Sequence, residues 1–128
     1  MLIDDIEKFK TDLNALTEFN NVYINNSRTI FDENTATIFL GNKQLIDTMN
    51  KGVYYEIEIL IVYAFKGDLK NTAIYRNAEL LEDKINDLIY QDFNGVIENS
   101  IKITEVAEEA KGKLIILHDF RINYMKGD

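Results

Sequence analysis

Three stretches of this 128-residue chain predict an α+β fold, an antiparallel sheet with a long central strand packed by an N-terminal helix and a second helix. In the first, Ile3, Ile6, Phe9, Leu13 and Leu16 recur at three- and four-residue steps. That spacing makes one apolar stripe and predicts an amphipathic helix over 2–17. In the second, VYYEIEILIVYAF (53–65), alternation places Val53, Tyr55, Ile57, Ile59, Ile61, Tyr63 and Phe65 on one face. Glu56 and Glu58 give way to Leu60, Val62 and Ala64 on the other, so the strand starts half-solvated and ends covered on both sides. In the third, Ile74, Ala78, Leu81, Ile85 and Leu88 step through 72–90 as a helical stripe opposite a charged face, with Asn71 or Thr72 as N-cap.

The remaining elements fall between these. NVYI (21–24) and TATIFL (35–40) read as short strands separated by a polar turn region. GNKQLIDTMNKG (41–52), with a glycine at each end, reads either as a projecting loop or as a short helix whose Leu45, Ile46 and Met49 close the core. SIKITEV (100–106) and KLIILHDFRINYM (113–125) alternate as strands, the latter with Leu114, Ile116, His118, Phe120, Ile122 and Tyr124 on one side. With no proline, no repeat and no glycine-serine linker, one domain over 1–128 is the simplest organisation.

Composition narrows the chemistry. A net charge of −8 opposes binding to duplex DNA or to an anionic membrane, because affinity for phosphates comes mostly from Lys and Arg. Without cysteine there are neither disulfides nor thiolate metal sites. MLIDDIEKFK has no signal-peptide core, and the longest apolar run falls far short of the roughly 20 residues of a membrane helix. A cytoplasmic, soluble protein is the expectation. The turn AFKGDLKNTA has the single glycine Gly67 and no GK[ST], so it lacks what a phosphate loop needs and reads as a reversing turn. His118 shares a strand face with apolar residues and is expected packed and hydrogen-bonded, not catalytic. EVAEEAKGK (105–113) reads as a charged surface turn, and DFNG (92–95) as the turn after the helix. Neither a nucleophile motif nor a metal set is present, and no cofactor is expected. Eighteen isoleucines and an apolar strand facing both ways point to cover by another copy of the chain.

The order of YYEIEILIVYAF, NTAIYRNAELLEDKINDLI, SIKITEV and KLIILHDFRINYM behind an N-terminal helix and a strand hairpin resembles the tail terminator (tail-completion) proteins of long-tailed phages and phage-tail-like bacteriocins. The resemblance covers nearly the whole chain and rests on element order. It implies a structural assembly protein without chemistry of its own. Such a protein forms a ring, usually of six, on the last disc of the tail tube and presents a surface to a neck, connector or sheath protein. It would act in a virion or tail-like particle assembled in the host cytoplasm, where an acidic lumen would not grip passing DNA. Under that implication Leu45, Ile46 and Met49, and the turn carrying Lys66, Asp68 and Lys70, are the expected contacts with neighbouring subunits or the tube. The rival reading is a small α+β enzyme or ligand-binding domain using the turn around Gly67.

Overall fold

The computed structural model describes residues 2–26, 34–47, 54–66, 72–105 and 113–125. Their order is α1 (Leu2–Asn14), β1 (Asn21–Ile24), β2 (Thr35–Asp47), β3 (Tyr54–Lys66), α2 (Thr72–Asp92), β4 (Val96–Glu105) and β5 (Lys113–Met125). The strands make one sheet in the order β1-β2-β3-β5-β4, with β3 at its centre. The fold is α+β, as the periodicities predict.

α1 forms because its apolar residues return on one face while Asp4 and Asp5 sit in the first turn, where the helix dipole favours acids. Ile6, Phe9 and Leu13 are buried. The helix stops at Asn14, three residues short of expectation. There the Leu16 N–H donates to the Leu13 carbonyl at 3.1 Å, tightening the chain so that Leu16 reaches the core from a turn.

Both helices pack on one sheet face. Ile57, Ile59, Ile61 and Tyr63 of β3 join Ile74, Ala78, Leu81, Ile85 and Ile89 of α2 and Phe9 of α1 in one cluster. The last residue of the α2 stripe is therefore Ile89, fully buried, with Leu88 only half-buried beside it. Each fully buried Ile, Leu or Phe of this cluster stabilises the fold by roughly 1.5–3 kcal/mol relative to exposure. Phe9, Phe93 and Phe120 meet as a ring cluster with centroids 5.2–6.2 Å apart, tying α1 and the turn after α2 to β5. On the opposite face Val62, Ala64 and Ile115 form a small buried cluster beside Phe39, Leu60 and Leu117, consistent with a β3 that ends apolar on both sides.

Three expectations are corrected. β1 and β2 are not a hairpin; they pair in parallel, Asn21 opposite Thr35 through Ile24 opposite Ile38. Asn25 and Asn34 adopt positive φ (53° and 55°) and flank the return. The Asn25 N–H donates to the Ile38 carbonyl, and Asn25 Oδ1 accepts from the Leu40 N–H. Alternation specifies a strand but not its direction. Second, 41–47 is neither loop nor helix. β2 continues through Gly41 to Asp47, paired with β3 after an irregularity between Leu40 and Lys43. Residues 48–53 lie outside the described residues. Third, β4 starts at Val96, before the expected Ser100, because Gly95 turns the chain at φ 71° and its carbonyl accepts from the Asn123 N–H.

Candidate assembly surface

Leu45 stands on β2 opposite Tyr55 of β3, and the pairing places Lys43 opposite Ile57 on the same face. This is the helix-bearing face, but its cover runs out here. Ile57 is buried, Tyr55 is half-buried and Leu45 is 52% exposed. Tyr55 also pairs with Tyr124 of β5, and the two rings stack with centroids 5.6 Å apart at 24°. The Lys43 ammonium lies 4.3 Å from the Tyr55 centroid and 5.7 Å from that of Tyr124. A hydrogen bond with Tyr124 holds that ammonium above its ordinary pKa, so Lys43 is charged at any ordinary pH. The end of the sheet thus presents a cation on stacked aromatic rings beside an exposed leucine.

On the reverse face of the same end, Arg121 Nη1 lies 3.5 Å from Glu56 Oε1 and Nη2 lies 3.8 Å from Glu58 Oε2. Asn42 and Gln44 complete a small polar recess around them. Among the described residues, no three metal-ligating side chains gather in one place.

The other expected contacts divide. Ile46 lies in β2 with its side chain outside the described residues; Met49, Asp68 and Lys70 lie wholly outside them, as does Gly67. Lys66 ends β3 opposite Lys113. It is roughly 35 Å along the strand from Tyr55, so Leu45 and Lys66 cannot share one patch. Reading the sequence missed Lys43, Tyr55 and Tyr124 as a unit. The two tyrosines stood out only as members of apolar strand faces, and their meeting needs the β3–β5 register.

His118 is fully buried, and its Nε2 lies 3.0 Å from the Tyr63 hydroxyl. Burial lowers its pKa to about 4 and raises that of Tyr63, so the pair is neutral inside the core. DFNG is more than a turn. Asp92, the last residue of α2, is buried, and its Oδ1 lies 2.5 Å from Lys8 Nζ, joining the two helices. Among the described residues, no helix is long and apolar enough to cross a membrane. Compared with protein-family models and with curated proteins, the chain matches none.

Proposed function

We propose that this chain is a structural assembly protein that forms a ring on the end of a phage or phage-like tail tube and joins it to a neck, sheath or connector protein. The observation that carries the reading is the uncovered sheet end, where Leu45 projects beside Lys43, Tyr55 and Tyr124. Tyrosine is among the residues that anchor protein contacts, and here an exposed leucine and a cation beside the pair add apolar area and charge. The backbone of Leu45 is paired with Tyr55, so presenting this leucine requires no ordering of the chain on binding. The order helix, two strands, long strand, helix, two strands agrees with the tail terminator resemblance, apart from its parallel first pair. The charge of −8 suits a ring through which DNA passes without being held.

The test is the mass of the purified protein in solution, alone and with a tail-tube protein, joined to electron microscopy of tube ends. A ring-sized species or capped tubes support the proposal. A monomer that leaves tube length unchanged overturns it and favours a small enzyme or ligand-binding domain.

A further inference from the structure

The outer face of α2 carries a second surface, exposed among the described residues. Glu79, Asp83 and Asp87 stand four residues apart, in one exposed row. Among the described residues none of the three makes an ion pair or side-chain hydrogen bond, while nearby Lys84 is taken by Glu18 at 2.5 Å. Like charges at this spacing repel and weaken a helix. After burial, the fields of Glu79 and Asp83 are what push the neighbouring Glu82 carboxyl upward. Flanking this row, Leu80 and Tyr90 are 58% and 57% exposed. An anionic row between two apolar side chains is the complement of a cation seated on tyrosines beside a leucine.

We propose that the sheet end bearing Lys43 and Leu45 docks on the outer face of α2 of a second copy, head to tail, as the contact that builds the ring. The inference rests on the assembly reading above and names its interface. The two surfaces differ, so each copy offers one of each and the contact is heterologous, which a closed ring requires. Leu45 covers apolar area at Leu80 or Tyr90, and the Lys43 ammonium relieves the row at Asp83 and Asp87. The rings of Tyr55 and Tyr124 hold the Lys43 ammonium at the sheet end, so its position is more defined than a mobile surface lysine's.

The experiment measures assembly by analytical ultracentrifugation for the wild-type chain, Lys43→Glu, the pair Asp83→Lys with Asp87→Lys, and all three substitutions together. Lys43→Glu and the double variant should each weaken association roughly tenfold or more, because each sets like charges face to face. The triple variant should recover most of the loss, and so should an equimolar mixture of the two defective proteins, since each then supplies the surface complementary to the other. Recovery also shows that the substitutions had not unfolded the chain. If the wild-type chain assembles and Lys43→Glu assembles equally well, the interface is wrong while the ring survives. Loss of tube capture with unchanged self-association would put this end on the tube protein instead, again overturning the inference. A wild-type chain that stays monomeric even with tube protein removes both readings.

Discussion

At the scale of single residues, two buried polar groups and one glycine set measurable behaviour. His118 has a folded pKa of about 4 against an ordinary 6.5, lowered by burial. The unfolded chain therefore takes up this proton first as pH falls. The contribution of neutral His118 is complete above pH 6.5 and is lost as pH drops through that value toward 4. Thermal denaturation between those limits should show the decline. In His118→Gln this component should be absent, with about 1 kcal/mol lost at neutral pH, from the Tyr63 hydrogen bond, and assembly intact. Loss of a measurable activity in a folded His118→Gln protein would instead place the chain among enzymes. A different imbalance holds at Asp92. Burial raises its pKa, while Lys8 and a hydrogen bond with Asp12 oppose each other there. Lys8→Met removes the cation from the buried carboxylate, whose Oδ1 keeps the Gln91 amide at 3.3 Å, and should lower the melting temperature. Asp92→Asn removes the buried charge and should lower it less, a ranking that calorimetry can check. At Gly95, φ is 71° and an added Cβ would lie 2.9 Å from the Asn123 carbonyl. Gly95→Ala should cost about 1–2 kcal/mol or more in denaturant titration, from left-handed backbone strain plus that contact.

At the scale of elements, the apolar stripes were legible and the limits of the elements less so. Ile74, Ala78, Leu81 and Ile85 all lie in the core, as their spacing requires. Leu81→Asp would bury an unpaired carboxylate under the sheet, a cost on the order of 1–3 kcal/mol or more, and should prevent folding. A soluble variant with unchanged thermal stability would contradict the packing described. Leu88 packs against the same core at its edge, and Ile89, one residue on, is the fully buried member because both positions suit a helical stripe. The sequence predicts β2 only to Leu40, since GNKQLID has weak strand propensity. Pairing with the thirteen-residue β3 overrides that preference.

At the scale of the whole molecule, the candidate assembly surface lies at one end of the sheet and Lys66, the last residue of β3, at the other. Their variants should therefore separate. Replacing Leu45 together with Ile46 and Met49 by serine should weaken assembly with little effect on folding, because Leu45 is exposed on a strand held by its neighbours. Reversing Lys66 and Lys70 should change salt dependence more than strength, since exposed pairs contribute only about 0–1 kcal/mol. Sedimentation at low and high salt distinguishes the two. Normal assembly of the serine variant would remove Leu45 from the interface.

The sequence by itself determined the α+β class, the two helices, the central strand and most of the core. It could do so because side-chain period is a local property of a helix or strand. It also carried the structural burial of His118 as a consequence of the face that residue takes, whereas the place of Leu45 on a strand beyond the helices' cover came from the fold. Only the tertiary structure decided that β1 runs parallel to β2, that β5 lies between β3 and β4, and that Lys43 rests on Tyr55 and Tyr124. It alone joined Tyr63 to His118 and Lys8 to Asp92. Each of these depends on which distant segments meet and in what direction. That choice is made by the packing of the whole chain, and no local period encodes it.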